Sequence, residues 1–164
     1  MGSVLDGIRI LDFGRYIAGP FCGMLLADMG AEVIRIEKID GSEDRYTIPV
    51  GEGADGEYSV GAMFLQMNRN KLGLTLNPMK LQGREIVRKL VATADVVIAN
   101  LPAPALKTMG LDYESLRAIK SVIILTAVSA FGSTGPYSDR VGFDGVAAAM
   151  CGMMHLTGNP DEPM

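Results

Sequence analysis

The sequence has one histidine, two cysteines and no tryptophan, and these scarcities exclude several kinds of site. With His155 alone, no His-x-x-x-His is possible, and no Cys-x-x-Cys occurs, so no metal site is predicted. We expect His155, which follows an apolar stretch, to be a structural or surface residue rather than a catalytic one. Cys22 and Cys151 lie in apolar surroundings, and we expect both to be buried as small hydrophobic side chains.

An excess of positive charge and a long apolar run are also lacking. The formal net charge is -4, and no basic stripe is present, so nucleic acid is not predicted as a partner. No apolar run reaches the roughly 18 residues of a membrane-spanning helix, so no membrane partner is predicted. The first six residues lack the basic and apolar regions of a signal peptide. We therefore expect a cytoplasmic protein.

The composition that remains is that of a packed domain, with 48% hydrophobic and 21% charged residues. Apolar runs and helical periodicity alternate along the chain, which favours an α/β fold with a parallel sheet and helices on both faces. The predicted strands are Ile8–Phe13, Glu32–Glu37, Lys71–Leu76, Val96–Ala99 and Val122–Ala127. The predicted helices are Phe21–Met29, Tyr58–Met67, Met79 to about Thr93, Ala103–Met109, a short helix capped by Asp112, and Phe143–Met154.

Two of these helices carry further predictions. Asn77 and Pro78 are expected at the cap and first position of the helix from Met79, because both residue types favour a helix start. The helix Phe143–Met154 is so apolar that we expect it to be largely buried, with Asp144 capping it.

A long segment rich in glycine and charge, Ile39–Gly56, is predicted to be a surface loop. Gly51–Gly56 matches G-x-G-x-x-G, the pattern of dinucleotide-binding turns. However, no clear strand precedes it and no helix follows, and Glu52 and Asp55 would repel a pyrophosphate. No nicotinamide cofactor is therefore predicted.

The most informative segment is Leu11–Pro20, which predicts a strand, a small-residue turn and the start of a helix. Such a turn lies at the carboxyl end of a parallel strand, where ligands bind in α/β proteins. Ala18 and Gly19 allow a close approach of the backbone. Their spacing alone leaves two functions open, ligand contact or the packing of strand against helix.

Short motifs run through the chain from about Leu5 to its last residues: Leu11–Pro20, Met29–Glu37, Asn68–Lys71 with Leu74–Leu76, Gly83–Glu85, Ala94–Val97, Met109–Leu116, Ser129–Tyr137, Gly142–Asp144 and Leu156–Gly158. In this order they resemble the class III coenzyme A (CoA) transferases, which include formyl-CoA and carnitine-CoA transferases. The resemblance implies a Rossmann-like fold. Because the family's chains are much longer, it also implies that residues 1–164 are the amino-terminal part of the large CoA-binding domain.

The resemblance implies CoA-binding residues one position at a time. Those expected to contact the CoA chain, the nucleotide or the adenine are Ile17, Ala18, Lys38, Leu76, Asn77, Asn100, Leu101 and Lys107. The family's E-N-F-R-P-G turn reads Ala99–Pro104 here; Asn100 is kept, but the acid, the aromatic residue, the arginine and the glycine are not. A second family arginine is replaced by Thr108, beside Lys107. Two guanidinium groups that could bind phosphate in a bidentate manner are thereby absent.

The reaction implied by the resemblance is transfer of CoA from an acyl-CoA to a small carboxylic acid through an aspartate nucleophile. The family's aspartate follows a motif at the end of this chain, so no catalytic residue is assigned, and Asp161 is not given that role. We expect the 164-residue chain alone to be inactive. The resemblance also implies a homodimer in which two full-length chains interlock.

Two alternatives stay open at this point. The first is an isomerase like α-methylacyl-CoA racemase, which has a histidine where this chain has Phe143 before Asp144. A phenyl ring cannot transfer protons, so Phe143 disfavours this chemistry. The second alternative is a CoA-binding fragment without turnover.

Overall fold

The computed structural model describes residues 2–47, 49–52 and 58–159. Seven strands lie within these ranges: β1 (Arg9–Asp12), β2 (Glu32–Glu37), β3 (Val50–Glu52), β4 (Tyr58–Gly61), β5 (Lys71–Thr75), β6 (Val96–Ala99) and β7 (Ile124–Ala127). The α-helices of the same ranges are α1 (Ala18–Asp28), α2 (Ala62–Met67), α3 (Leu81–Val91), α4 (Ala103–Met109), α5 (Tyr113–Ile119) and α6 (Asp144–Met150). A 3-10 helix, Glu43–Tyr46, follows β2. The chain divides into two units, Met1–Val128 and Ser129–Met164.

Five strands of the first unit form one sheet in the order β5-β2-β1-β6-β7, and every neighbouring pair is parallel. The chain starts at the central strand, builds outward to β5, and then returns to the other side of β1. The strand order therefore reverses between β1 and β6, and ligands of open α/β sheets bind at the carboxyl ends beside such a reversal. The predicted parallel α/β architecture is confirmed.

Helices cover both faces of this sheet. Leu11 and Val97 pack on one face with residues of α3, α4 and α5, including Val91. Their neighbours Ile10 and Ile98 point to the opposite face, where Ala27 of α1 packs. Because successive side chains of a strand alternate between faces, strands buried on both sides need unbroken apolar runs. These runs made the central strands predictable.

The segment predicted as a loop and a helix contains more structure than expected. β3 and β4 form a small antiparallel sheet, so Tyr58–Gly61 is a strand and the helix begins only at Ala62. A short apolar run is compatible with either structure, and pairing with β3 decides it. Ser42 and Asp44 are buried, which a surface loop would not predict. Most of the G-x-G-x-x-G segment, residues 53–56, lies outside the described residues.

The start of α3 also differs from the prediction. The helix begins at Leu81 with Lys80 as its N-cap, and it ends at Val91. Asn77 Oδ1 instead accepts a hydrogen bond of 3.0 Å from the Met79 amide, which forms a local turn before the helix. The predicted cap at Asn77 is therefore wrong, because its side chain competes for an earlier backbone amide.

The boundaries of α4 and α5 follow the predictions. Gly110 ends α4 in the left-handed conformation, with a φ of 71°. Asp112 caps α5 by accepting a hydrogen bond of 3.2 Å from the Ser115 amide.

The second unit contains α6, and the prediction that this helix is largely buried is wrong. None of its residues is buried, and Phe143, its N-cap residue, is 65% exposed. Asp144 is the first helical residue and makes no capping hydrogen bond, so the predicted cap is wrong as well. Cys151 is exposed and Cys22 is half-buried, contrary to the expectation for both. An apolar composition favours burial of a helix, but burial also requires other residues that pack against it.

Candidate functional site

A cavity of about 250 Å³ lies at the carboxyl ends of the sheet strands. Phe13 follows β1, Lys38 follows β2, Leu76 follows β5, and Leu101 lies two residues beyond β6. The complete lining comprises Phe13, Arg15, Ile36, Glu37, Lys38, Leu76, Asn77, Pro78, Met79, Leu101 and Met109. Parallel strands bring their carboxyl ends to one edge, so residues far apart in sequence meet here.

The sequence-predicted residues divide into two groups. Four of the eight line the cavity, namely Lys38, Leu76, Asn77 and Leu101. The other four lie off its lining. Ile17 and Ala18 are exposed at the start of α1, and Lys107 is exposed on α4.

Asn100, the eighth predicted residue, is engaged with the turn after β1. Its Oδ1 accepts a hydrogen bond of 2.6 Å from the Arg15 amide, and its Nδ2 donates one of 2.8 Å to the Arg15 carbonyl. Both ends of the side-chain amide therefore hold the backbone of one residue that lines the cavity. Ligand contact by Asn100 stays a prediction, whereas its positioning of Arg15 is a feature of the structure.

Arg15 is a candidate that the sequence analysis missed. It lines the cavity, and its NH1 is buried without a hydrogen-bond partner. The available signal was an arginine placed directly in the turn after the first strand. From sequence alone, however, an arginine in a turn is expected to be solvated.

A buried ion pair between Arg35 and Asp44 holds the turn that follows β1. Arg35 donates hydrogen bonds to the Gly14 carbonyl at 3.1 Å, to Ser42 Oγ at 2.9 Å and to Asp44 Oδ2 at 2.7 Å. Arg35 and Asp44 are 2% and 1% exposed. Asp44 also accepts a hydrogen bond of 3.1 Å from the amide of Tyr16, whose φ is 57°. The pair thus fixes the turn's backbone in a conformation that a tyrosine rarely adopts.

A second buried pair joins the start of α1 to the edge strand β5. Lys71 Nζ donates hydrogen bonds of 2.7 Å to Asp12 Oδ2 and to the Pro20 carbonyl, and one of 3.1 Å to Asn68 Oδ1. Asp12 Oδ1 accepts a further hydrogen bond of 2.7 Å from the Gly14 amide. Burial lowers the pKa of Lys71, although the negative charge of Asp12 opposes this effect.

Glu37 lines the cavity, but other side chains already occupy its carboxylate. Oε1 accepts a hydrogen bond of 2.5 Å from Arg45, and Oε2 accepts bonds from Arg45 Nε and from the amide and hydroxyl of Ser42. Burial opposes ionisation of Glu37, but these hydrogen bonds and the charge of Arg45 outweigh it and lower the pKa to about 2. Glu37 is therefore a neutralised structural anion rather than a free base.

The remaining lining combines apolar surface with positive charge. Phe13, Ile36 and Leu76 are at most 6% exposed and form apolar walls, while Arg15 and Lys38 contribute cations. Lys38 also pairs with Glu43. This arrangement suits a flat ring that carries an anionic group.

Among the described residues there is neither a metal-binding cluster nor a membrane-spanning helix. Residues 2–47, 49–52 and 58–159 contain no group of three or more metal-binding side chains in position to hold an ion. In the same ranges, no helix combines the length and the apolar character needed to cross a bilayer.

A family model described as CoA-transferase family III matches residues 5–164. The chain belongs to this family. Among curated members, it is similar to a succinate–glutarate CoA-transferase of Agrobacterium fabrum, with 43% identity over 163 residues that cover 98% of the chain and 41% of the relative. It is also similar to the human succinyl-CoA:glutarate CoA-transferase, with 40% identity over 94% of the chain and 34% of the relative.

Solved structures of related proteins have the same fold. A CAIB/BAIF family protein of Brucella suis gives a TM-score of 0.89 at 42% identity, over 99% of the chain and 43% of that protein. Rv3272 of Mycobacterium tuberculosis gives 0.87 at 33% identity, over 99% of the chain and 45% of that protein. The chain spans between one third and about two fifths of the length of the curated family III relatives named above.

Proposed function

We propose that this family III protein transfers CoA between an acyl-CoA thioester and a carboxylic acid, and that its cavity binds the nucleotide part of CoA. One observation carries the proposal. Lys38, Leu76, Asn77 and Leu101, which the family resemblance implies separately, line the same cavity. These four residues come from three different strand ends and span 64 positions of sequence, so chance proximity is a poor explanation.

The chemistry of the lining supports a nucleotide. The buried walls of Phe13, Ile36 and Leu76 suit an adenine ring, and Lys38 supplies a positive charge for phosphate. In the proposal, Ile17 and Ala18 contact the pantetheine arm, and Asn100 and Lys107 contact the nucleotide. Residues 1–164 thereby contribute to the large CoA-binding domain of the family.

The substrates are proposed from the relatives. Their names refer to succinate and glutarate, and others refer to succinyl-CoA with D-citramalate or mesaconate. All of these acids are small dicarboxylates. We therefore propose succinyl-CoA as the donor and a small dicarboxylic acid as the acceptor.

The proposed mechanism uses an aspartate that matches no position of residues 1–164. Its carboxylate attacks the thioester carbonyl, and the C–S bond breaks, which expels CoA as a thiolate and leaves a mixed anhydride between the acyl group and the aspartate. The thiolate then attacks the enzyme's side of the anhydride, which forms an aspartyl thioester and releases the donor acid. The acceptor carboxylate reverses these steps and leaves as the new acyl-CoA.

Titration calorimetry tests the binding part of the proposal. We expect CoA to bind the 164-residue chain more tightly than NAD, because the cavity offers cations and apolar walls. Succinate serves as a control for binding of an acid without a nucleotide. Tighter binding of NAD than of CoA would contradict the proposal.

An exchange assay tests the reaction. Succinyl-CoA and isotopically labelled glutarate are incubated with the chain, and labelled glutaryl-CoA is followed by mass spectrometry. We expect no turnover from residues 1–164, and turnover from a chimaera that adds the remaining part of the Agrobacterium fabrum relative. Robust turnover by residues 1–164 alone would place the nucleophile within them, and Asp144 and Asp161 would be replaced first.

The proposal also includes a cytoplasmic homodimer of interlocked chains, which rests on the family resemblance. Light scattering of the chimaera measures its mass in solution. A monomeric mass at micromolar concentration would contradict the dimer.

A further inference from the structure

The guanidinium group of Arg15 is placed for a ligand that the protein itself does not supply. Arg15 lines the cavity, and its NH1 is buried without a hydrogen-bond partner. Burying a charged donor without a partner is costly, since it forfeits the hydration of the group. Such a group is stabilised when an anionic ligand enters the cavity.

The backbone of Arg15 is fixed independently of its side chain. Asn100 binds both the amide and the carbonyl of Arg15, at 2.6 and 2.8 Å. On the preceding residue, Asp12 accepts from the Gly14 amide and Arg35 donates to the Gly14 carbonyl. The side chain therefore projects from a rigid turn, which reduces the entropy lost when it binds a ligand.

The carboxylates near this turn are occupied by other cations. Glu37 is held by Arg45, Glu43 by Lys38, and Asp44 by Arg35. The hydrogen bond from Lys38 is the main cause that lowers the pKa of Glu43, and the charge of Arg15 contributes after it. Among the described residues, Arg15 makes no ion pair of its own. An anion that enters the cavity would therefore give Arg15 the direct hydrogen-bond partner that its NH1 lacks.

We propose that Arg15 binds a phosphate of the nucleotide part of CoA, an inference that rests on the proposed function. The chain lacks the two family arginines at Ala99–Pro104 and at Thr108, and Arg15, in the turn after β1, supplies a guanidinium to the cavity lining. A guanidinium binds phosphate through paired N–H groups, which a lysine cannot reproduce.

Calorimetry with three variants tests this assignment. The probes are CoA, 3′-dephospho-CoA and adenosine 3′,5′-bisphosphate, the last of which carries phosphates without the pantetheine arm. We expect R15Q to weaken binding of CoA and of the bisphosphate by about 10- to 100-fold, the value of a charge-assisted hydrogen bond. R15K should lose less, because it keeps the charge. R88Q, which removes an equal charge from the exposed face of α3, is the matched control.

Dephospho-CoA distinguishes the two phosphate positions. If Arg15 binds the 3′-phosphate, the loss in R15Q disappears with this probe; if Arg15 binds the diphosphate, the loss persists. Either result supports the assignment. R15Q should also keep the unfolding temperature of the parent, because only the backbone of Arg15 is hydrogen-bonded to Asn100.

The outcomes separate this inference from the proposed function. If the parent binds CoA and R15Q binds it as tightly as R88Q does, Arg15 has no phosphate role and the proposed function stands. If the parent binds the bisphosphate through Arg15 but does not bind CoA, the assignment stands and the proposed function fails. Binding of none of the probes would overturn both. If R15Q fails to fold, equal affinity of R15K and the parent for all three probes overturns the bidentate assignment.

Discussion

The side-chain amide of Asn100 fixes the backbone of Arg15, because its oxygen accepts from the Arg15 amide and its nitrogen donates to the Arg15 carbonyl. Asn100→Asp keeps the acceptor but replaces the donor with an oxygen that faces the Arg15 carbonyl. We expect a loss of about 1 to 3 kcal/mol in the free energy of unfolding, measured with urea. CoA affinity should fall as well. Gln82→Glu, which also replaces an amide by a carboxylate but on the exposed face of α3, is the control. Equal stability of both variants would show that the two hydrogen bonds of Asn100 do not stabilise the fold.

The buried pair of Asp12 and Lys71 gives a prediction about unpaired charge. Lys71→Met leaves the carboxylate of Asp12 buried without its cation, and we expect a loss of about 3 to 5 kcal/mol. The double variant with Asp12→Asn removes both charges and should be more stable than Lys71→Met alone. Urea unfolding of the four proteins measures the coupling. Additive losses would show that the two charges act independently.

Glu37 predicts how stability depends on pH. Its pKa falls from 4.5 to about 2 in the folded protein, so the folded state holds the ionised form. The resulting stabilisation, about 3 kcal/mol at most, is complete above pH 4.5 and is lost as the pH falls towards 2. The stability advantage of the parent over Glu37→Gln should therefore narrow between pH 4.5 and 3. Glu85→Gln, at an exposed position on α3, controls for the lost charge, and a pH-independent gap would contradict the prediction.

At the scale of elements, two neighbouring residues of the turn between β1 and α1 are expected to have different roles: Gly19 in packing and Ala18 in CoA binding. A Cβ on Gly19 would lie 2.8 Å from Gly14 Cα, so Gly19→Ala forces the backbone apart and should cost about 1 to 3 kcal/mol. Ala18 is exposed, and Ala18→Glu should leave the unfolding temperature unchanged while abolishing CoA binding. Thermal unfolding and calorimetry of both variants check this. Unchanged CoA affinity in Ala18→Glu would assign the turn a structural role alone.

The elements that the sequence predicted best are those whose position follows from one local feature of the sequence. The buried strands β1 and β6 need continuous apolar runs, and the ends of α4 and α5 use Gly110 and Asp112, whose local chemistry is specific. β4 was missed because its identity depends on pairing with β3. The start of α3 was misplaced because the Asn77 side chain accepts a hydrogen bond from the Met79 amide in a local turn and does not cap the helix.

At the scale of the molecule, all the residues of the cavity belong to the first unit. A chain of residues 1–128 should therefore bind CoA with the affinity of residues 1–164. It should also be more soluble, because it lacks the exposed side chains of Phe143, Met150 and Leu156. Calorimetry and the concentration limit of each chain check these expectations. A truncated chain that no longer unfolds cooperatively would show that the second unit stabilises the first.

The candidate site was predicted only in part from the sequence. Leu76 and Leu101 could be placed through motifs, because strand ends meet at one edge of a parallel sheet. Arg35 and Asp44 could not, because charged residues are read as solvated unless their partners are known. Arg15 was missed for the same reason, since only the structure shows that its NH1 is buried and unpaired.

The central position of β1 has a consequence for the nascent chain on the ribosome. One edge of β1 pairs with β2 early, but the other waits for β6, with Ile10 opposite Val96, some 86 positions later. At roughly 5 to 20 residues per second, that edge stays open for about 4 to 17 seconds of synthesis. An apolar strand with an open edge is a template for wrong pairing. Slowed translation before Val96 should lengthen this interval and increase the demand for chaperones.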